Sequence, residues 1–150
     1  MVEFERVSFA ELASRDGFVD VVREYAEETK NPAIAEPSVQ FDRYAELDEQ
    51  GLLRFVAAMD GGRLVGLLVV AVTPSQHYGF PIVAVESIYL RKVARRGAAG
   101  LELLGCAKAI ARAEGAPGFT IMAPPGSALD RVAGALGLVN THKTYWCHVE

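Results

Sequence analysis

The four residues 60–63, Asp-Gly-Gly-Arg, constrain the fold of this chain more than any other short segment. They separate two strongly apolar stretches, residues 53–59 and 64–73, each of a length typical of a β-strand. Asp-Gly and Gly-Gly pairs readily adopt the positive φ angles of tight turns, so the two stretches are predicted to pair as an antiparallel hairpin. A third strand-like stretch, residues 82–90, follows the turn at residues 73–81.

Segments with helical patterns surround these strands. Ser8 and Glu11 fit a capping box, and the apolar spacing across residues 18–25 predicts a helix that Pro32 stops. Further helices are predicted over residues 38–50, 100–114 and 127–136, and further strands over residues 3–8, 119–122 and 138–149, the last interrupted near residue 140. The order β-α-α-β-β-β-α-β-α-β predicts one mixed α/β domain, residues 1–150, in which about four helices flank a mostly antiparallel sheet.

Composition and charge exclude several classes of protein. Hydrophobic residues make up 51% of the 150 and charged residues 23%, which is typical of an ordered globular domain. The net charge of −4 argues against a general nucleic-acid binder, which needs a broad basic face. The longest apolar run, residues 64–72, is too short for a membrane-spanning helix, which needs roughly 20 residues. No signal peptide is recognisable at the start, so we expect a cytoplasmic protein with two reduced cysteines.

The net charge conceals an uneven distribution. Residues 1–50 hold 13 Asp and Glu against 5 Lys and Arg, a net −8, and residues 51–150 hold 6 against 10, a net +4. Four basic residues fall within positions 91–96, directly before the small residues 97–100 and a predicted helix. Because a helix N-terminus with nearby cations attracts anions, this segment is a candidate site for a pyrophosphate-bearing ligand. A solvated basic surface, or small residues that only allow close helix packing, would give the same pattern.

The same segment resembles the acetyl-CoA signature of the Gcn5-related N-acetyltransferases, Arg/Gln-x-x-Gly-x-Gly/Ala, which lies between the fourth strand and the central helix. Arg95 takes the first position and Gly100 the last, and Ala98 stands where the signature has its first Gly. If that position requires a positive φ, alanine costs about 1 kcal/mol there and the loop would be strained or reshaped. The short phage-encoded members of the family are similar at further positions, namely Gly66, Pro74, His77, Tyr78 and the triplet Leu136-Gly137-Leu138.

The resemblance implies an acyl-CoA N-acyltransferase-like fold, in which the fourth and fifth strands splay apart and the pantetheine arm of acetyl-CoA lies in the gap. By position, the backbone of Ile88, Tyr89 and Leu90 would pair with pantetheine. The side chains of Arg95 and Arg96 would lie near the phosphates. The pyrophosphate would be held by the backbone N–H groups of Arg96, Gly97, Ala98, Ala99 and Gly100. The family reaction needs no metal ion, and the three histidines of this chain lack the spacing of metal ligands.

The reaction implied is direct attack of a primary amine on the acetyl thioester, and it poses two proton-transfer problems. An alkylammonium group, with a reference pKa of about 10.4, must lose a proton before it attacks. Glu86 is the candidate base, because it is a carboxylate in an otherwise apolar strand where burial would make it more basic; on a half-exposed strand it would simply face solvent. Tyr145 on the last predicted strand is the candidate acid for the departing thiolate, with ordinary aromatic packing as its alternative.

The sequence therefore predicts an acetyl-CoA-dependent N-acetyltransferase that acts on a small-molecule or protein amine. Two alternatives are a catalytically weak acyl-CoA-binding or regulatory module and an interaction domain with an empty cleft. The acidic first fifty residues would border the acceptor side, which favours a cationic amine. Exposed aromatic loops would allow a homodimer, whereas neither nucleic acid nor a membrane is expected as a partner.

Overall fold

A five-stranded sheet and five helices make up the structure, a computed structural model that describes residues 1–150. The strands are β1 (Glu3–Val7), β2 (Leu53–Asp60), β3 (Arg63–Thr73), β4 (Ile82–Leu90) and β5 (Thr120–Ile121). The helices are α1 (Phe9–Ala13), α2 (Phe18–Thr29), α3 (Phe41–Glu49), α4 (Ala99–Ala113) and α5 (Ala128–Ala135). This arrangement confirms the predicted mixed α/β fold class and adds one short helix, α1, which begins at the predicted capping box of Ser8 and Glu11.

The hairpin between β2 and β3 forms where the sequence predicts it. Gly61 and Gly62 have φ angles of 57° and 78°, so the turn uses the conformation that only glycine adopts without strain. The strand order in the sheet is β1-β2-β3-β4-β5. The first three pairings are antiparallel, and β5 pairs with β4 in parallel.

The sheet separates two hydrophobic clusters. On one face α4 packs through residues such as Leu103, Ala107 and Ile110. On the other face α1, α2 and α3 pack around Phe9, with Phe55 of β2 beneath them. Helices on both faces explain why β3, the central strand, is buried along nearly its whole length and reads as a continuous apolar run.

The fourth and fifth strands separate soon after they meet. They pair at only two positions, Ala84 with Thr120 and Val85 with Ile121. Beyond Val85 the fourth strand continues to Leu90 with no neighbour on that side. The predicted splay between the fourth and fifth strands is therefore present, and it exposes one edge of the second half of β4.

The predicted strand at residues 138–149 is wrong, because these residues form no regular secondary structure. The prolines at 124 and 125 follow β5 closely and have no backbone N–H to donate, so β5 stays too short to support another strand. The aromatic and aliphatic side chains of the tail remain exposed as a result, among them Tyr145 and Trp146.

Candidate functional site

The loop between β4 and α4 holds the predicted anion-binding segment. A short 3-10 turn at Lys92–Ala94 leads into it, and Gly97 has a φ of +56°. Ala98 has a φ of −93°, which any residue adopts without strain. The position of Ala98 therefore does not require a positive φ, and the condition for strain there is not met, because the left-handed conformation falls one residue earlier, on Gly97.

Backbone N–H groups at the start of α4 point out of the helix without a partner. The N–H groups of Arg96 and Ala99 are used within the loop, bonded to the carbonyl oxygens of Ala94 at 2.9 Å and of Arg96 at 3.3 Å. No side chain caps α4, because its N-cap residue is an alanine. The N–H groups that have no acceptor in the protein are those of Gly97, Ala98, Gly100 and Leu101. Of these four residues, Ala98 lines a cavity of about 280 Å³, which is bordered by Arg96 and also by the carboxylates of Asp60 and Glu102. The unpartnered N–H groups at the helix start are nevertheless the donors that the loop offers to an anion.

The arginines around this loop differ in whether hydrogen bonds and ion pairs already hold their side chains. Arg95 donates from Nε to the carbonyl oxygen of Leu90 at 2.7 Å and from Nη2 to both carboxylate oxygens of Glu28 at 2.8 Å. Its guanidinium carbon lies 5.2 Å from the centre of the Tyr89 ring. Arg95 thus ties the end of β4 to α2, and its side chain does not point freely towards the start of α4.

Arg91 is paired in the same way with Glu24 of α2. Its Nε and Nη2 atoms donate to the two carboxylate oxygens at 3.0 and 2.7 Å. This pairing raises the pKa of Arg91 and lowers the pKa of Glu24. Acidic α2 therefore neutralises half of the basic segment 91–96, whereas Lys92 and Arg96 take part in no ion pair.

The end of β4 provides the strand edge predicted for the cofactor. Tyr89 and Leu90 are buried and Ile88 is half-buried, with Leu90 in the α4-side cluster and Tyr89 in the opposite one. All three residues lie beyond the last pairing with β5. The edge leads directly into the loop, so an extended ligand along β4 would end at the free N–H groups of α4.

A bulge in β4 brings two polar side chains to one face of the sheet. Val69 of β3 pairs with Ser87 and Val70 pairs with Val85, which leaves Glu86 as the extra residue. The hydroxyl group of Tyr44 donates to Glu86 Oε1 at 3.0 Å, and the hydroxyl group of Ser87 donates to Glu86 Oε2 at 3.3 Å. The bulge therefore presents Glu86 and Ser87 together towards α2 and α3.

Glu86 is exposed, so the expectation that it is buried in the strand is wrong. Its two protein partners are hydroxyl groups, and it belongs to none of the ion pairs. Each carboxylate oxygen keeps capacity for another hydrogen bond, because a carboxylate has about four acceptor positions. The group can therefore receive a proton from a molecule that approaches from solvent.

Tyr145, the other predicted catalytic residue, lies on the irregular tail. Its side chain is 84% exposed, and the structure does not join it to Glu86. The sequence pattern pointed to a strand that would place it centrally, and the absence of that strand removes the support for the placement.

Sequence reasoning missed Tyr25, Tyr44 and Ser87 as members of the site. The two tyrosines read as parts of apolar helix faces, and Ser87 as one strand residue among many. Tyr25 donates to Ser87 at 3.0 Å, and Ser87 is the one buried polar side chain. A signal was available, because a tyrosine on an inward helix face needs a partner for its hydroxyl group.

The arrangement of the residues can be set against the requirements of a metal site, a disulfide and a membrane-spanning helix. No group of three or more His, Cys, Asp and Glu side chains is arranged to hold a metal ion. Cys106 and Cys147 are both free thiols. None of the helices combines the length and the apolar character needed to cross a membrane.

Comparison with known proteins gives matches in structure alone. No protein-family model and no curated protein sequence matches this chain. A ribosomal-protein-alanine N-acetyltransferase from Brucella melitensis biovar Abortus 2308 matches with a TM-score of 0.74 at 15% identity, with 100% of both chains covered. AAC(6')-Iy, solved with the bisubstrate analogue CoA-S-monomethyl-acetylneamine, matches with a TM-score of 0.74 at 14% identity, over 100% of this chain and 99% of the other. A transcriptional regulator from Bacillus halodurans C-125 matches with a TM-score of 0.77 at 20% identity, over 99% of this chain and 100% of the other. At these identities the likeness establishes the fold, which is that of the Gcn5-related N-acetyltransferases.

Proposed function

We propose that this protein is an acetyl-CoA-dependent N-acetyltransferase that transfers the acetyl group to a primary amine by direct attack on the thioester. The observation that carries the proposal is the open edge of β4, which is followed, after the 3-10 turn at Lys92–Ala94, by the unpartnered N–H groups at the start of α4. This slot matches a ligand with an extended amide-containing arm and a pyrophosphate at its end. Acetyltransferases among the structural neighbours support the same activity.

Acetyl-CoA would bind mainly through the backbone. The edge formed by Ile88, Tyr89 and Leu90 would pair with the pantetheine arm. Within the segment 96–100 the N–H groups of Gly97, Ala98 and Gly100 would hold the pyrophosphate, because those of Arg96 and Ala99 are bonded within the loop. Lys92 and Arg96 take part in no ion pair and are the cations available to the phosphates, although Arg96 Nε donates to the carbonyl oxygen of Val93 at 2.9 Å. Arg95 would first have to leave Glu28.

Glu86 would act as the general base. It accepts a proton from the ammonium group of the acceptor, and the neutral amine nitrogen then forms a bond to the thioester carbon. A backbone N–H of β4 beyond the last pairing with β5 would stabilise the resulting oxyanion. Collapse of the tetrahedral intermediate breaks the carbon–sulfur bond and releases CoA.

The thiolate that leaves needs a proton only to complete the reaction. Thiols have a reference pKa of about 8.5, so a thiolate is an acceptable leaving group near neutral pH and water can protonate it. Tyr145 is the sequence-derived candidate for this step. Turnover of a Tyr145→Phe variant that equals the wild type at every pH would assign the proton to water.

The proposal is tested by acetyl-CoA binding and by thiol release. Acetyl-CoA should raise the melting temperature, because a ligand that binds only the folded state stabilises it. Thiol release with a panel of primary amines should then depend on Glu86, and Glu86→Gln should lower kcat by at least about 100-fold, the lower end of the usual contribution of a general base. No thermal shift with acetyl-CoA would refute the proposal and favour an interaction domain with an empty cleft.

A catalytically weak acyl-CoA-binding or regulatory module is the second candidate. The match to a protein described as a transcriptional regulator favours it, as does the exposed position of Tyr145. This candidate predicts a thermal shift with acetyl-CoA but no thiol release above the uncatalysed rate with any amine, in the wild type and in Glu86→Gln alike.

The charge of the first fifty residues bears on the class of acceptor. The net charge of −8 on residues 1–50 favours a cationic amine, such as a polyamine, an aminoglycoside or a lysine-rich peptide. Part of that charge is used internally by Glu24 and Glu28, so the remaining acidic groups would have to provide the attraction. The resemblance to the short phage-encoded members, a homodimer and a cytoplasmic location remain predictions of the sequence.

A further inference from the structure

A connected set of hydroxyl groups surrounds Glu86. Tyr44 of α3 donates to Oε1 at 3.0 Å, and Ser87 donates to Oε2 at 3.3 Å. Tyr25 of α2 in turn donates to the hydroxyl oxygen of Ser87 at 3.0 Å. The network joins three elements that are distant in sequence, since Tyr44 and Glu86 are 42 positions apart and Tyr25 and Ser87 are 62 apart.

We propose that Tyr44 and Tyr25 are positioning residues, which hold the Glu86 carboxylate in the orientation in which it takes the proton of the acceptor amine. The inference rests on the proposed role of Glu86 as the base. Tyr44 acts directly on one carboxylate oxygen, and Tyr25 acts on the other through Ser87. Neither tyrosine needs to touch the acceptor.

An exposed glutamate needs such support. Its side chain has several rotatable bonds, and a surface carboxylate otherwise samples many orientations. Two donors on two different oxygens define both the position and the plane of the group. Because no lysine or arginine pairs with Glu86, the network orients the negative charge without neutralising it.

Tyr44 is itself held in place. Its ring stacks on Phe9 with centroids 5.8 Å apart and meets the edge of Phe55 at 6.5 Å. Burial and the adjacent charge of Glu86 raise the pKa of Tyr44, so its hydroxyl group stays protonated and remains a donor. Tyr25 is fixed similarly, with its ring 5.8 Å from the ring of Tyr89.

The surroundings of Glu86 make the role measurable. The opposing strand β3 presents Val69 and Val70, and β5 presents Thr120 and Ile121, so neither strand contributes a titrating group there. The hydrogen-bonded network around Glu86 contains two titratable groups, Tyr44 of α3 on the carboxylate itself and Tyr25 of α2 on Ser87. A change in pH dependence after loss of one hydroxyl group can therefore be traced to this network.

The decisive variant is Tyr44→Phe, compared by steady-state kinetics with the wild type. We expect kcat to fall roughly 10-fold or more with KM for acetyl-CoA within about 2-fold, because misplacement of a catalytic group acts on the chemical step. The acidic limb of kcat/KM against pH should move to higher pH, since the ionised carboxylate has lost a donor. Tyr25→Phe should change both quantities in the same direction but less.

Phe41→Leu is the matched control. Phe41 lies on the same helix and packs against Phe9 and Phe18, and it is not one of the hydrogen-bond donors to Glu86. It should lower the melting temperature without moving the acidic limb. A shift of the limb in Phe41→Leu equal to that in Tyr44→Phe would reduce the role of Tyr44 to packing of α3.

A second measurement does not depend on activity. In protein labelled with ¹³C at the tyrosine Cζ, Glu86→Gln should shift the resonance of Tyr44 more than that of Tyr25. An unchanged Tyr44 resonance would overturn the positioning role even if the protein proves inactive. Conversely, wild-type kcat in Glu86→Gln would refute the proposed base. If Glu86→Gln loses activity while Tyr44→Phe keeps the wild-type kcat and pH profile, the positioning role alone is refuted.

Discussion

Replacement of Gly66 by alanine tests how closely β3 must approach the end of β4. A Cβ atom added at Gly66 would lie 2.4 Å from the carbonyl oxygen of Tyr89, 2.6 Å from Leu90 Cδ2 and 3.1 Å from Leu90 Cα. Two of these three atoms belong to the backbone of β4, so a side-chain rotation cannot relieve the contact. The two strands must move apart at the point where β4 enters the loop.

The size of the effect follows from these contacts. Overpacking a filled site destabilises a protein by about 1–3 kcal/mol, and backbone contacts place Gly66→Ala near the upper end of that range, at about 2–3 kcal/mol. For 150 residues the unfolding entropy is about 0.3 kcal/mol/K, so the melting temperature should fall by roughly 6–10 °C. Acetyl-CoA should also stabilise the variant less than the wild type, because the proposed binding edge moves.

Gly105→Ala is the matched control for thermal unfolding, followed by circular dichroism. Gly105 lies within α4, and an added Cβ meets no atom within 4 Å. This variant should be more stable by about 0.5–1 kcal/mol, because alanine favours the helix. A Gly66→Ala variant that melts at or above the wild-type temperature would refute the argument from close approach.

Three further predictions concern the loop, an ion pair and the acceptor. Gly97→Ala should lower the free energy of unfolding by about 1 kcal/mol, because φ is +56° there, and it should weaken the thermal shift with acetyl-CoA. Ala98→Gly should give no gain in stability, and a gain would mean that Ala98 is strained. Glu24→Gln should melt below the wild type at neutral pH. Because Arg91 lowers the pKa of Glu24, this contribution is present above the ordinary glutamate range and disappears as pH falls through the lowered value. The melting temperatures of the two proteins should therefore converge as pH falls below the ordinary glutamate range, and a constant difference would contradict the ion pair. Activity towards cationic amines should fall with ionic strength more than activity towards neutral amines, and equal salt dependence in initial-rate assays would exclude an acidic approach surface.

Local patterns predicted much of the fold because they act over a few residues. The Asp-Gly-Gly-Arg turn and the capping box of Ser8 and Glu11 depend on φ preferences and on hydrogen bonds within one turn. The same holds for the loop before α4, where small residues and a helix start are visible in sequence. The splay between the fourth and fifth strands came from the family resemblance, since it depends on where two distant strands stop pairing.

The site was only partly accessible to sequence reasoning. Glu86 was recognised as unusual in an apolar strand, but the bulge that turns it together with Ser87 towards α2 and α3 depends on the register with β3. Its partner Tyr44 lies 42 positions away and reads as an ordinary helix residue. The β-forming residues around Tyr145 predict a strand, but such a strand needs a neighbouring edge, and β5 has only two residues.

The charge asymmetry illustrates the difference between a property of the residue order and a property of the folded protein. An acidic first third and a basic segment at 91–96 follow directly from the order of the residues, because formal charge needs no folded structure. The folded chain is needed to see that Arg91 and Arg95 pair with Glu24 and Glu28, each 67 positions away, and that Lys92 and Arg96 form no ion pair. The reason is geometric: ion pairs form over a few ångströms, and packing of α2 against the end of β4 determines which charges come within that distance.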